Sequence, residues 1–388
     1  MTGGRPLRVL VAPDSFKGSL DAGTVADAIR AGIHDALPDA EVTTTPIADG
    51  GEGLLDVLVP VLGGTLHTTR VAGPLPGQFV DAAWGYVDHD RLAIIEMACA
   101  AGLLLVPPDR RDPRITTSYG FGELIRAALH AGAQRVLVGI GGTATNDGGA
   151  GMAQALGARL LADDGLPIGR GGAALSRLAT IDRSVVDPLI NGASFVVASD
   201  VRSPLTGPAG ASFVYGPQKG ATPAMVAELD RSLENYRQVI LRSTGIDVQQ
   251  VPGSGAAGGA GAALAVFCKA EMRLGIDVVL DALGFDERLS SVDLVITGEG
   301  RLDDQTSAGK AMAGVRARAH ARGVPVAAVV GSVQGDPERF KGPDGFSDVR
   351  PLVDGTMTVE AAIRDARRLV RMRTTQLIRG MHPGERRA

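Results

Sequence analysis

The sequence predicts an α/β fold: a Rossmann-like, doubly wound parallel-sheet domain that carries a second, inserted α/β domain. Strand-like apolar runs alternate along the chain with segments of helical periodicity, a pattern typical of βαβ units. The alternation near both chain ends is interrupted after a turn-forming Gly/Pro cluster at residues 73–77. We therefore expect one discontinuous domain of residues 1–72 and 285–388, an inserted domain of residues 73–284, and an active site in the cleft between them.

The first domain begins with a strand, a short loop and a helix. Residues 9–12 form an apolar run, and apolar residues then recur at every fourth position up to a proline. Ser19 stands where it can cap this helix. A second strand is expected over residues 42–47, and the same pattern returns near the other chain end with strands over 294–297 and 326–330.

The middle of the chain begins differently. Residues 78–86 and 91–97 are two strand-like runs separated by a short acidic turn, which predicts a β-hairpin. A helix is expected over residues 120–131, and another after Thr222, because Thr is a good N-cap and Pro223 then takes the first helical position.

Composition limits the classes of partner. The chain has 388 residues, of which 45% are hydrophobic and 21% charged, and its net charge of -4 gives no footprint for nucleic acid or an anionic membrane. Cys99 and Cys268 lie in apolar surroundings, as expected for reduced thiols. No run approaches the roughly 18 apolar residues of a membrane span. We expect a cytoplasmic protein with small-molecule partners, and a homodimer is compatible with the sequence.

Acidic residues end or follow several of the strand-like runs. Ligands of open α/β sheets bind outside the carboxyl ends of the strands, so acids there predict a site for cations and polar groups. The acids in such positions are Asp14, Asp49, Glu96, Asp147, Asp200 and Glu299.

The strongest local motif is the strand and glycine-rich loop of residues 136–151. Glycines let backbone N–H groups approach a phosphate, and a helix that starts after the loop adds its positive end. Asp147 would repel phosphate unless a metal ion lay between them. Two alternatives stay open: a dinucleotide fingerprint over residues 139–144 with Asp163 downstream, and a merely structural tight loop. The predicted phosphate-binding residues are Gly141, Gly142, Thr143, Thr145 and Asn146.

Two loops of the first domain offer charged groups. Lys17 lies between Ser15 and Ser19, and a lysine with neighbouring hydroxyls suits a phosphate or a carboxylate. The plainer interpretation is a helix cap with a solvated lysine. Asp49 and Glu52 flank two glycines, and paired carboxylates near phosphate loops usually hold Mg²⁺, although a turn with solvated acids gives the same pattern.

Further polar groups come from the middle of the chain. Thr117 and Ser118 precede the helix over residues 120–131, where a cap alone would explain one hydroxyl. Lys219, in a glycine-flanked turn, is a second lysine for phosphates. The sequence has no Walker A motif, no zinc signature and no nucleophile elbow. Acids, lysines and glycine loops remain, and this set is typical of phosphoryl transfer.

Several motifs in order resemble the glycerate kinase type 1 family over nearly the whole chain. They are APDSFKGS at 12–19, PIADGGEG at 46–53, IGGTATNDGGAGMAQALG at 140–157, SPLTGPAGAS at 203–212, YGPQKGAT at 215–222, GAAGGAGA at 255–262 and DLVITGEGRLDDQT at 293–306. The resemblance implies ATP-dependent, Mg²⁺-assisted phosphorylation of D-glycerate to 2-phosphoglycerate. It also implies a Rossmann-like domain built from both chain ends.

This resemblance suggests roles for the residues singled out above. We expect Lys17 and Asp200 to be catalytic, Asp200 as the base. The predicted substrate-binding residues are Ser15, Lys17, Thr117 and Ser118; the predicted nucleotide-phosphate-binding residues are Gly141, Gly142, Thr143, Thr145, Asn146 and Lys219; the predicted metal ligands are Asp49, Glu52 and Asp147.

The sequence departs from the family at three positions. Ser199 precedes Asp200 where the family more often has Cys, Ser203 precedes Pro204 where it more often has Asn, and Met312 replaces a frequent proline. These changes bear on substrate geometry rather than on the reaction class. A nicotinamide-dependent 2-hydroxyacid dehydrogenase and a non-enzymatic sugar-acid or nucleotide sensor are the alternative functions.

Overall fold

The computed structural model of the chain describes residues 5–51, 53–303, 311–355 and 357–381. The chain forms two compact units, called here the terminal unit (Met1–Asp49 and Ile276–Ala388) and the inserted unit (Gly50–Gly275). Both contain parallel strands and helices, so the predicted α/β class is confirmed. No helix in the described part of the chain has the length and hydropathy needed to cross a bilayer.

The secondary structure follows the expected alternation. The strands are β1 (Arg8–Pro13), β2 (Glu41–Thr44), β3 (Thr65–Ala72), β4 (Phe79–Val87), β5 (Leu92–Glu96), β6 (Arg135–Gly139), β7 (Arg159–Leu161), β8 (Thr180–Asp182), β9 (Ser194–Ala198), β10 (Glu271–Arg273), β11 (Leu294–Gly298), β12 (Arg301–Leu302), β13 (Val326–Val330), β14 (Ser332–Val333) and β15 (Val349–Pro351). The α-helices are α1 (Ala22–Ala36), α2 (Leu54–Val61), α3 (Ala98–Ala101), α4 (Tyr119–His130), α5 (Ala150–Ala155), α6 (Ala211–Tyr215), α7 (Pro223–Thr244), α8 (Ala256–Phe267), α9 (Gly275–Ala282), α10 (Phe285–Leu289), α11 (Ala311–Ala321), α12 (Val359–Arg364) and α13 (Ala366–Met381).

The domain boundaries differ from those expected at residues 72 and 284. Residues 65–72 form β3, which pairs along its whole length with β4 and therefore belongs to the inserted unit. At the other boundary, the Arg318 guanidinium in α11 lies 3.4 Å from the Asp277 carboxylate, which places most of α9 with the terminal unit. The inserted unit consequently spans residues 50–275.

The terminal unit contains a parallel sheet of five described strands in the order β15-β13-β11-β1-β2. Both β11 and β13 are buried along their whole length, which explains their continuous apolar sequences. The chain moves outward from β1 to β2 on one side and later returns to β11 on the other side of β1. The strand order thus reverses between β1 and β11, and such a point is where open α/β sheets bind ligands.

The helix that follows β1 begins differently from the prediction. The N-cap of α1 is Asp21, whose carboxylate accepts the Thr24 N–H at 2.7 Å, rather than Ser19. The Ser19 hydroxyl instead donates to the Ile363 carbonyl at 3.2 Å. A carboxylate at the positive end of a helix is the stronger cap, which accounts for the difference.

The inserted unit contains a mixed sheet of six described strands in the order β10-β9-β6-β5-β4-β3. The predicted hairpin is confirmed as the antiparallel pair β4 and β5, while β5, β6, β9 and β10 run parallel. Helices α4 and α7 are also confirmed, and Thr222 caps α7 by accepting the Met225 N–H. The parallel strands bring the acids that end or follow β5, β6 and β9 to one edge of this sheet.

Candidate active site

A pocket of about 440 Å³ lies at the carboxyl edge of the terminal unit's sheet. Asp14 and Ser15 directly follow β1, and Glu299 directly follows β11, so the strand-order reversal forms part of its wall. The rest of the wall comes from further residues after β11, from residues that follow β13 and β15, from α12, and from the first residues of α11 and α13. The pocket is thus located where this sheet topology predicts a ligand.

The polar side of the pocket holds three of the predicted site residues: Ser15, Lys17 and Asp49. The Lys17 ammonium lies 3.4 Å from a carboxylate oxygen of Asp49, and the Lys17 side chain is 72% exposed. Exposed ion pairs contribute little to stability, usually below about 1 kcal/mol. The pair therefore holds the Lys17 charge at the pocket but contributes little to the stability of the fold.

Asp14 is the most deeply buried acid of this pocket. The Ser15 N–H donates to its carboxylate at 2.6 Å, and the side chain is 8% exposed. Burial raises the pKa of Asp14 to about 6, and the negative charge of Asp49 adds to the increase, whereas the Ser15 N–H and Lys17 oppose it. Asp14 and Glu299 stand at strand ends, as the sequence predicted for acids near a ligand, although neither was assigned a role there.

We expect Asp14→Asn to change how stability depends on pH. Because the pKa of Asp14 is raised from 3.8 to about 6, the native state binds more protons than the unfolded state between these values, so stability falls as pH rises through this window. The difference amounts to at most about 3 kcal/mol. Urea midpoints at pH 4, 5, 6 and 7 in EDTA-containing buffer should show this fall in the wild type, but not in Asp14→Asn. Identical slopes in both proteins would contradict the assignment, and the exposed Asp163→Asn is the control.

Asp147 lies in the inserted unit and is fully buried. Its carboxylate accepts the Ser118 N–H at 2.8 Å, the Ser118 hydroxyl at 2.9 Å, the Gly149 N–H at 3.1 Å and the Gly151 N–H at 3.3 Å. The Thr117 hydroxyl lies 3.5 Å away. Burial raises the pKa of Asp147, and these donors oppose the increase. The carboxylate thus joins the glycine-rich loop to the start of α4.

Other predicted phosphate-binding residues are buried in the same region. The Lys219 ammonium donates to the Thr145 carbonyl at 2.7 Å, and burial lowers the pKa of Lys219 to about 8. The Asn146 amide donates to the Ser212 hydroxyl at 2.9 Å. Lys219 is only 3% exposed, and Thr145 and Asn146 are fully buried. In this conformation the side chains of Lys219 and Asn146 and the backbone carbonyl of Thr145 hold the loop together, while the exposed part of the loop lies at Gly142.

The glycines in the buried part of this loop allow close backbone packing. A Cβ on Gly149 would lie 2.5 Å from the Ala263 Cβ, and one on Gly258 would lie 2.0 Å from the Thr145 carbonyl oxygen. The Gly148 N–H donates to the Gly258 carbonyl at 2.9 Å. The two glycine-rich segments are distant in sequence, but their backbones pack so closely that a side chain at these positions would clash.

Asp200 follows β9 and is exposed, and its carboxylate accepts the Gly275 N–H at 3.0 Å. Glu52 lies outside the described residues. The structure thus brings Ser15, Lys17 and Asp49 together in the terminal unit. It brings Thr117, Ser118, Thr145, Asn146, Asp147 and Lys219 together in the inserted unit.

The predicted metal ligands Asp49, Glu52 and Asp147 stay a prediction. No group of three or more His, Cys, Asp or Glu side chains in the described part of the chain is arranged to hold a metal ion. Mg²⁺ in phosphoryl-transfer sites, however, usually takes only one or two carboxylates together with phosphate oxygens and water. Asp49, 26% exposed at the pocket, fits that requirement. Asp147 fits it poorly, because protein N–H and O–H groups occupy its carboxylate.

A doubly wound sheet with a lysine and carboxylates at its strand-order reversal is typical of α/β enzymes that bind charged small-molecule ligands. The sequence model of the glycerate kinase family matches residues 9–382, and the chain belongs to this family. The resemblance noted from the sequence motifs is therefore confirmed.

Individual relatives support the same conclusion. The chain is 48% identical over 330 residues to the glycerate 2-kinase of Escherichia coli K12, covering 85% of this chain and 86% of that protein. It is 46% identical over 360 residues to the glycerate kinase of Bacillus subtilis 168, covering 93% and 94%. A crystal structure provisionally described as glycerate kinase 2 from Salmonella typhimurium LT2 is similar with a TM-score of 0.88 and 45% identity, over 98% of this chain and 99% of that one.

Proposed function

We propose that this chain transfers the γ-phosphoryl group of ATP to the 2-hydroxyl of D-glycerate, giving 2-phosphoglycerate and ADP. The single observation that carries the proposal is its 48% identity, over 85% of its length, to a protein named glycerate 2-kinase. Lys17 at the pocket supplies a positive charge of the kind that phosphoryl transfer needs. These observations favour the kinase over the dehydrogenase and the sensor.

Each site residue has a separate role in the proposed reaction. The Lys17 ammonium neutralises negative charge on the transferring phosphoryl group or on the glycerate carboxylate, and the Ser15 hydroxyl donates a hydrogen bond to the same group. The 2-hydroxyl oxygen attacks the γ-phosphorus, the bond from that phosphorus to the bridging oxygen of ADP breaks, and Asp200 accepts the hydroxyl proton. Mg²⁺, held by Asp49, would supply further charge neutralisation when bound. The location of the active site relative to the two units stays a prediction.

The Asp200→Asn variant tests the assignment of the base. We expect kcat to fall by about 10²-fold with a small change in KM, because proton transfer is lost while substrate contacts remain. The asparagine keeps an oxygen that can accept the Gly275 N–H, so the fold should be preserved. Steady-state kinetics beside Asp163→Asn, another exposed acid, gives the comparison. Full turnover by Asp200→Asn would remove Asp200 from the mechanism.

The function itself is tested by ADP release with ATP, Mg²⁺ and D-glycerate, followed by phosphorus NMR of the product. Glycerate-dependent ADP with a 2-phosphate resonance supports the proposal in full. A 3-phosphate resonance keeps the enzyme class and changes the product. An absence of glycerate-dependent ADP contradicts the proposed acceptor and requires a test of other hydroxy acids.

We also propose that the protein acts in the cytoplasm. The support is its two free cysteines, of which Cys99 is partly buried and Cys268 is buried. Burial raises the pKa of the Cys99 thiol to about 11 and that of Cys268 to about 12, so both are poorly reactive at neutral pH. These thiols suit a reducing compartment. Gel filtration with light scattering would test whether the protein forms a homodimer.

A further inference from the structure

We propose that the pocket of the terminal unit binds the adenosine part of the nucleotide, with the adenine base against an apolar wall formed by α12 and the residues after β15. This inference rests on the proposed function and specifies where its phosphate donor binds. The sequence motifs predict a binding site only for the nucleotide phosphates, on the glycine-rich loop of the inserted unit.

The apolar wall is the first observation. Val359, Ala362 and Ile363 lie at positions i, i+3 and i+4 on one face of α12, and together with Ala366, the first residue of α13, they line the pocket. Val359 is 52% exposed and Ile363 is 45% exposed, although both are large apolar side chains. Exposed apolar side chains gathered in a concave site, rather than scattered singly, mark a surface that a ligand covers.

The opposite side of the pocket is polar. Asp14 and Glu299 offer carboxylate oxygens, which in sheets of this type hydrogen-bond ribose hydroxyls. Carboxylates also repel phosphates, so the phosphate end of a nucleotide must point toward Lys17. The Ser19 hydroxyl donates to the Ile363 carbonyl at 3.2 Å, and it thereby fixes the apolar wall to the loop that carries Lys17.

The size and polarity of the pocket favour ATP over D-glycerate as its ligand. A volume of about 440 Å³ far exceeds that of D-glycerate, which has almost no apolar surface to place against α12. Pockets of about 300–1,000 Å³ with one apolar side and a few polar groups typically hold larger, partly aromatic ligands. An adenosine group combines a flat apolar base with ribose hydroxyls and so matches both sides of the pocket.

The test places a charge on the apolar wall. We expect Ile363→Glu and Val359→Glu each to raise the Kd of ADP and of adenosine at least tenfold in calorimetry, and to change the KM for D-glycerate less than twofold. Both side chains are exposed, so the fold should tolerate the change, and circular dichroism checks this. The control is Ile246→Glu, an isoleucine of similar exposure outside the pocket.

A second measurement locates the base without relying on variants. Photolabelling of the wild type with 2-azido-ADP should modify the tryptic peptide that ends at Arg364, and excess ADP should prevent the labelling. Labelling confined to peptides of the inserted unit would overturn the proposal.

Other outcomes also decide the question. If Ile363→Glu raises only the KM for glycerate, the pocket holds the acceptor; if it changes neither constant, the pocket binds neither substrate. Either result overturns the inference while leaving a glycerate kinase intact. Conversely, a chain that binds ADP in this pattern but forms no glycerate-dependent ADP supports the pocket assignment and contradicts the proposed function.

Discussion

Replacing Lys17 by alanine is expected to lower kcat/KM by about 10²–10³-fold, the effect of removing a charge that stabilises the transferring phosphoryl group. Such a loss corresponds to about 3–4 kcal/mol of transition-state stabilisation. The variant should fold normally, because the Lys17 side chain is 72% exposed and its ion pair with Asp49 is partly solvated. Activity and stability are thus expected to separate clearly at this position. Steady-state kinetics with ATP and D-glycerate varied in turn measures the effect.

Two matched variants sharpen the result. Lys17→Arg keeps the charge with a different geometry, and we expect it to recover part of the lost rate. Lys269→Ala removes an exposed lysine that does not line the pocket and should leave kcat/KM within twofold. An unchanged rate and unchanged glycerate dependence in Lys17→Ala would show that Lys17 is a solvated loop residue, as the plainer interpretation of its motif holds.

The sequence predicted most regular elements because their periodicities are physical consequences of burial. The wholly buried strands β11 and β13 appear as continuous apolar runs, and α7 is signalled by its cap. The domain boundary was misplaced at β3, whose residues are mostly exposed. An edge strand with little burial on either face carries no alternating pattern, so only its pairing with β4 reveals where it belongs.

Residues of the candidate site could be predicted where a short sequence motif contains them. They could not be predicted where only the tertiary fold brings them to the pocket. Ser15, Lys17 and Asp49 come from short motifs at the ends of strands, and the topology then gathers them in one pocket. The α12 wall comes from a segment more than 300 residues later, whose apolar residues resemble an ordinary helix face. Nothing in its local sequence indicates that Ile363 faces a pocket.

The glycine-rich loop shows a second reason why the sequence alone does not predict the site. A glycine that lets a ligand approach and a glycine that lets two backbones touch give the same sequence. Gly149 and Gly258 are of the second kind, since a Cβ on either would clash with protein atoms. The third interpretation of the loop, a tight structural turn, therefore describes its buried part, while phosphate binding at Gly141 and Gly142 stays a prediction.

Asp147→Ala is expected to destabilise the protein by about 3–5 kcal/mol, the cost of breaking a buried charge network. The change leaves the Ser118 N–H and hydroxyl and the Gly149 and Gly151 N–H groups without their acceptor. Each buried donor without a partner costs about 1–3 kcal/mol, although such costs are not additive. The buried Lys219 ammonium also loses a neighbouring negative charge. Urea-induced unfolding, followed by tryptophan fluorescence and circular dichroism, measures the loss.

The contrast with Asp147→Asn separates positioning from metal binding. Asparagine keeps one acceptor oxygen but presents an NH₂ group to N–H donors, so we expect a smaller but clear destabilisation. The exposed Asp163→Ala should change stability by less than about 0.5 kcal/mol. If Asp147 serves the fold, the activity that remains in folded Asp147→Asn has the same Mg²⁺ dependence as the wild type. A variant that keeps full stability but needs far more Mg²⁺ would instead make Asp147 a metal ligand, and would require the buried loop to open before catalysis.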